Sequence, residues 1–135
     1  MPLNKLPALD ADNRAFWTHG KNGILAICRC KKCQHFIHPP SPVCVACGSM
    51  DVAPEPVSGL ASVISYSVNY QPWAAGQAVP FVLATVELAE QKGLWIMTNI
   101  VGCDPETVRV DMPVQVRFEQ QDDIWLPLFA PEGKP

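Results

Sequence analysis

Six cysteines carry most of the chemistry available to this chain of 135 residues, and four of them are paired by spacing. Cys30-Lys31-Lys32-Cys33 and Cys44-Val45-Ala46-Cys47 are two C-x-x-C motifs with ten residues between Cys33 and Cys44. Zinc takes four thiolates in a tetrahedron, and each C-x-x-C turn delivers two from one tight loop, so the spacing predicts one Zn2+ per chain. Gly48 directly after the second motif permits the left-handed backbone that such a turn often requires. Four protein ligands leave no position for water or substrate, so the metal is structural. The same ligand set suits iron, which the absorbance of the purified protein would reveal.

The other candidates are weaker. Cys28 precedes Cys30 by a C-x-C spacing that does not match the second motif, and reads as a strand residue. Cys103 follows Gly102 with no histidine nearby in sequence and reads as a half-buried thiol rather than a nucleophile. With four cysteines sufficient for the metal, His19, His35 and His38 read as surface or hairpin residues. No Ser/His/Asp grouping, paired carboxylate or Gly-rich phosphate loop is present, so no catalytic residues are assigned.

These residues must be positioned by a small fold. The length suits a single core with one satellite module. Hydrophobic residues make up 48% and charged residues 17%, against about 25% charged in an average domain, which excludes general disorder. Uninterrupted apolar runs such as Ile24 to Cys28 fall far short of the roughly 18 residues that cross a bilayer. The N-terminus lacks a secretory pattern, so a cytoplasmic, reducing location is expected, where paired cysteines favour metal over disulfides. Fourteen prolines argue for short strands and long loops rather than helices.

Asp10 and Asp12 ahead of Ala15, Phe16 and Trp17 predict a short helix stopped by Gly20 and Gly23. Ile24 to Ile27 reads as a strand leading into the cysteines, Pro39-Pro40-Ser41-Pro42 separates the two motifs, and Pro54-Glu55-Pro56 reads as a linker. Beyond it the period becomes two. Leu60, Ile64, Tyr66, Val68 and Tyr70 are expected on one strand face, with a long loop from Tyr70 to Pro80. Phe81 to Leu88 and Leu94 to Val101 form a hairpin around Gln91-Lys92-Gly93, and Asp104-Pro105 caps a helical turn. Val114, Val116 and Phe118 alternate with polar residues in a fourth strand, and Ile124 to Phe129 is a fifth. Five strands with a helical turn between the third and fourth give a mainly β chain with an OB-fold barrel. The expected domains are an N-terminal helical segment (1–23), a zinc ribbon (24–53) and an OB-fold (54–131).

In order, Phe16-Trp17, Ile24-Leu25, Cys30-x-x-Cys33, His38-Pro39-Pro40, Cys44-x-x-Cys47-Gly48-Ser49, Gly59, Pro80-Phe81 and Asp104-Pro105-Glu106 resemble the DUF35 family. Its members join a rubredoxin-like zinc ribbon to an OB-fold, and the resemblance covers nearly the whole chain. It implies a non-catalytic subunit that docks on a thiolase-like or aldolase-like acyl-CoA enzyme of lipid, steroid or aromatic degradation and helps to shape its acyl-CoA channel. The resemblance further implies a heterotetramer, a CoA thioester bound by the complex, and as an alternative a MaoC-type enoyl-CoA hydratase as partner. Cys28 departs from the family, where many relatives carry a polar residue.

Three groups could serve such a role. Tyr66, Tyr70, Trp73 and Phe81 bracket the loop that OB-folds use for ligands, and aromatics are enriched in interface cores. Tyr66 and Phe81 are equally suited to closing the barrel end, whereas Trp73 in a Pro/Ala/Gly loop favours a partner or acyl-CoA contact. Arg29, Lys31 and Lys32 at the first cysteine motif suit either solvent or the acidic groups of a partner or CoA. Single-stranded nucleic acid is the competing ligand of OB-folds. Between Val57 and Ala130, three basic residues against eight acidic ones leave −5, a charge that repels phosphates.

Overall fold

The computed structural model describes residues 8–72, 75–76 and 78–132. It consists of strands with one short helix, α1 (Arg14–Thr18), which continues into a 3-10 turn over His19–Asn22. Asp10 starts this segment by accepting the backbone N–H groups of Asp12 and Asn13 on its carboxylate, an Asx-type turn. Gly23 ends it at φ +73. Gly20 has a different role from the helix stop that its type suggested. It lies buried inside the 3-10 turn, where a Cβ would stand 2.5 Å from Phe118 Cδ1 and 2.7 Å from Trp125 Cβ. The absence of a side chain lets the N-terminal segment lie directly on the barrel.

The ribbon is a three-stranded antiparallel sheet in the order β2-β1-β3, built from β1 (Leu25–Cys30), β2 (Phe36–Ile37) and β3 (Val52–Val57). β3 corrects the expected linker, because Pro54 and Pro56 lie within it, paired with Cys28 and Ala26. Proline is tolerated there because the two are separated by one residue, so both missing N–H groups fall on the side facing away from β1. Arg29 binds the sheet across its width. Its guanidinium lies 4.4 Å from the Phe36 ring centroid, donates to Gln34 O at 2.8 Å and pairs with Glu55 at 3.1 Å.

The closed barrel has the strand order β4-β5-β6-β8-β7, formed by β4 (Leu60–Asn69), β5 (Phe81–Leu88), β6 (Trp95–Ile100), β7 (Pro113–Gln121) and β8 (Ile124–Pro131). A 3-10 turn at Pro105–Thr107 stands between the third and fourth barrel strands, and its Asp104 cap accepts the Glu106 N–H at 3.0 Å. This is the OB-fold that the strand order predicted. The expected face of β4 is corrected. Ala61 and Val63 are its buried residues, while Leu60, Tyr66 and Tyr70 are exposed at 37%, 36% and 57%. A register shift between Val63 and Ser65 interrupts the period of two, as a β-bulge does.

The two modules share one core. Phe16, Leu25, Ile27 and Phe36 from the N-terminal half cluster with barrel residues including Val63, Val86, Val114 and Phe129. A polar latch adds to it. From the β5–β6 turn, Gln91 accepts the Phe36 N–H on Oε1 at 2.9 Å and donates from Nε2 to Phe36 O at 3.0 Å.

Candidate metal centre and exposed surfaces

Each cysteine motif is fixed by backbone hydrogen bonds before any metal is considered. Cys30 N–H donates to His35 O at 2.9 Å and Gln34 N–H to Cys30 O at 2.9 Å, turning the chain tightly after β1. Gly48 N–H reaches Cys44 O at 2.8 Å and Cys44 N–H reaches Ser49 O at 2.8 Å, with Gly48 at φ +77 as its position predicted. The Sγ atoms of Cys30, Cys33, Cys44 and Cys47 all lie within 4.8 Å of one another. Two cross-motif pairs, Cys30–Cys47 and Cys33–Cys44, stand at 3.6 Å. A tetrahedron with Zn–S bonds of about 2.3 Å has edges of about 3.8 Å, so the cross-motif pairs already stand near that spacing and the cluster suits a zinc ion.

The electrostatics of the four thiols are uneven. Cys33 N–H points at Cys30 Sγ (3.4 Å) and Ala46 N–H at Cys44 Sγ (3.4 Å). The Cys33 N–H is the main cause that lowers Cys30 to about 6. For Cys44 burial opposes ionisation, but the N–H groups of Cys47 and Ala46 and the neighbouring thiols outweigh it and its pKa is lowered. Cys33 is helped by the His35 N–H, yet burial and the adjacent sulfurs push it up to about 12. A divalent ion removes that conflict by neutralising the thiolates together.

The other sulfurs and imidazoles stay apart from this centre. Cys28 is a buried strand residue whose thiol is pushed up mainly by burial, and Cys103 packs half-buried against the main core. His19 is exposed, but His38 corrects the surface reading. Its ring packs at a tilt against Phe16 with centroids 4.8 Å apart, its Nδ1 is buried with no hydrogen-bond partner among the described residues, and burial lowers its pKa to about 4.

Of the contact candidates, Lys31 and Lys32 are exposed, whereas Arg29 is half-buried in the sheet contacts described above. Tyr70 is exposed and Phe81 half-buried, paired across the strands with Asn69; Trp73 lies outside the described residues. Sequence reasoning missed two exposed apolar groups. On the barrel, Trp95 and Met97 are 52% and 70% exposed, and Trp95 Nε1 and Gly93 N–H both donate to the Glu87 carboxylate. On the ribbon, Val45 and Met50 are 79% and 76% exposed. For Val45 the signal was an aliphatic residue between two candidate metal ligands, which cannot turn inward because those cysteines fix the backbone.

Residues 17–53 match a family described as the rubredoxin-like zinc ribbon domain of ChsH2. Residues 54–119 match the C-terminal OB-fold domain of ChsH2. The chain is 36% identical over 130 residues to a probable enoyl-CoA hydratase alpha subunit of Thermomonospora curvata, covering 96% of this chain and 40% of that protein. It thus spans about two fifths of that relative's length. It is 34% identical over 107 residues to a DUF35 domain-containing scaffold protein of Methanocaldococcus jannaschii, covering 77% of this chain and 74% of that one. A solved chain described as Ltp2-ChsH2(DUF35) aldolase is similar with a TM-score of 0.81 and 38% identity, over 93% of this chain and 98% of that chain.

Proposed function

Because the chain belongs to the DUF35 family, in the ChsH2 form that joins a rubredoxin-like zinc ribbon to an OB-fold, we propose that it is the non-catalytic subunit of an acyl-CoA enzyme. The partner is a thiolase-like enzyme, a retro-aldol lyase or thiolase of lipid, steroid or aromatic degradation, which supplies the reacting groups. This chain docks on it, stabilises it and helps to form its acyl-CoA channel, in a heterotetramer. The observation that carries this reading is the similarity to the DUF35 chain of an Ltp2-ChsH2 aldolase over 98% of that chain.

The residues that would hold Zn2+ are Cys30, Cys33, Cys44 and Cys47. The ion would supply no reaction chemistry, only the cross-link that keeps β1 and the second cysteine loop together. Arg29, Lys31 and Lys32 at the first cysteine motif, with Tyr70 after β4 and Phe81 at the start of β5, are the residues of this chain offered to the partner or to the phosphates and acyl group of a CoA thioester. Trp73 belongs to the same set by sequence. A hydratase partner is the second reading, favoured by the 36% identity to an enoyl-CoA hydratase alpha subunit. Nucleic acid is disfavoured by the −5 charge of the barrel segment.

The test is co-purification of the full-length chain from its native host, with mass spectrometry and metal analysis of the eluate. Retention of a thiolase-like or aldolase-like subunit with about one zinc per chain supports the reading. Retention of a hydratase-like subunit favours the second, and recovery of no acyl-CoA enzyme overturns both.

A further inference from the structure

We propose that the tip of the zinc ribbon is the face this chain presents to its enzyme partner, and that the partner receives it in an apolar pocket with an acidic rim. The proposal rests on the subunit reading above and adds to it where the contact lies and what chemistry recognises it.

From Pro39 to Met50 the chain contains no Asp, Glu, Lys or Arg. Within this stretch Val43, Val45 and Met50 are exposed at 39%, 79% and 76%, although each is aliphatic. The loop beneath them is held by the Cys44–Ser49 and Gly48–Cys44 backbone hydrogen bonds and by the buried Cys44. Such a loop loses little freedom when it is bound, which favours it as an anchor. The second observation is charge. Lys31 N–H donates to Asp51 O at 2.8 Å, which places the first cysteine motif beside the residue following Met50. Lys31 and Lys32 are exposed there and have no ion pair among the described residues, whereas the nearby Arg29 is already paired with Glu55. Aliphatic knobs beside two unpaired ammonium groups fit an apolar pocket edged by carboxylates.

A folded protein fits this tip better than an extended anionic surface. A membrane or a nucleic acid would meet the whole chain, whose barrel segment carries −5. The tip also lacks the aromatic residues that favour the membrane interface. A partner subunit can offer its carboxylates at the tip alone.

The experiment takes the enzyme subunit retained by the wild-type chain, identifies it, purifies it and titrates it with the full-length zinc-loaded protein. Val45→Glu and Met50→Glu are each expected to weaken binding about tenfold or more, with zinc content and thermal stability unchanged. A Lys31→Glu, Lys32→Glu double variant is expected to slow association and to flatten its salt dependence. Met97→Glu on the barrel is the comparison, expected to change affinity by less than about threefold. Zero-length carbodiimide coupling is expected to join Lys31 or Lys32 to partner carboxylates. An enzyme that binds the tip variants as it binds wild type, or that loses binding only with Met97→Glu, overturns the proposal and leaves the subunit reading standing. Failure of the wild-type chain to retain any acyl-CoA enzyme overturns both. Tip-dependent binding to vesicles of phosphatidylcholine and phosphatidylserine, without tip-dependent enzyme binding, overturns the protein occupant in favour of lipid.

Discussion

Replacing Gln91 with Leu tests whether one side chain fastens the ribbon to the barrel. The change keeps a side chain of similar bulk but removes both hydrogen bonds to Phe36, at 2.9 Å and 3.0 Å. Phe36 is an edge residue whose other neighbour is β1, so no further strand replaces the lost partner. Each bond contributes about 0.5–1.5 kcal/mol net, and the part-buried backbone groups have limited access to water, so the expected loss is about 1–3 kcal/mol. Denaturant unfolding of the zinc-loaded protein measures it, and amide exchange at Phe36 localises it. A Gln91→Glu variant separates hydrogen bonding from packing. Its carboxylate can still accept the Phe36 N–H but faces the Phe36 carbonyl with a second acceptor. Its deficit should therefore shrink as pH falls through the carboxyl pKa, near 4.3 in model compounds, because the protonated acid regains a donor. A Gln91→Leu variant within about 0.3 kcal/mol of wild type, with Phe36 exchange unchanged, would refute the latch.

Three further outcomes follow from the same structure. Cys44→Ser, or exhaustive chelation, is expected to remove the metal and disorder residues 24–50 while the barrel keeps its near-ultraviolet signature; unchanged amide exchange in 24–50 would count against metal-coupled folding. Gly20→Ala forces a Cβ to within 2.5 Å of Phe118 and should cost about 1–3 kcal/mol, read as a fall of several degrees in Tm; an unshifted Tm would mean the N-terminal segment is not seated on the barrel. His38 has a folded pKa of about 4 against 6.5 for the free side chain. The unfolded chain therefore binds a proton that the folded one refuses. Stability should decline as pH falls from about 6.5 towards 4, by about 3 kcal/mol in all, and be unaffected by this group above that range. Comparing His38→Phe with wild type between pH 7 and pH 5 cancels the metal's own pH dependence, and parallel slopes would remove His38 from the account.

Local rules acted without competition in the parts of the fold that were legible. Phe81–Leu88 coincides with its predicted strand because alternation, a glycine turn and β-branched residues all agree there. The Asp104 cap and the four-cysteine cluster rest on short-range geometry that a sequence displays directly. The failures share another character. Pro54-Glu55-Pro56 contains two residues that strands usually avoid, and only pairing with β1 on one side makes it a strand. The face of β4 was misread because a bulge between Val63 and Ser65 adds a residue that no composition signal marks. Gly20, Gln91 and His38 act through contacts with distant parts of the chain, at Phe118, Phe36 and Phe16. Their roles depend on which surfaces meet, which one sequence does not state.

The edges of the ribbon sheet have a bearing on how the chain avoids pairing with copies of itself. On β3 the outward-facing N–H groups at positions 54 and 56 do not exist, and on β2 the outward groups of Phe36 are taken by Gln91. A β-sheet recruits further strands through free edge donors and acceptors, the usual seed of sheet-to-sheet polymerisation. Here both edges are blunted, one by imino acids and the other by a side-chain amide. The sheet therefore offers few free backbone groups at its edges on which another copy could nucleate.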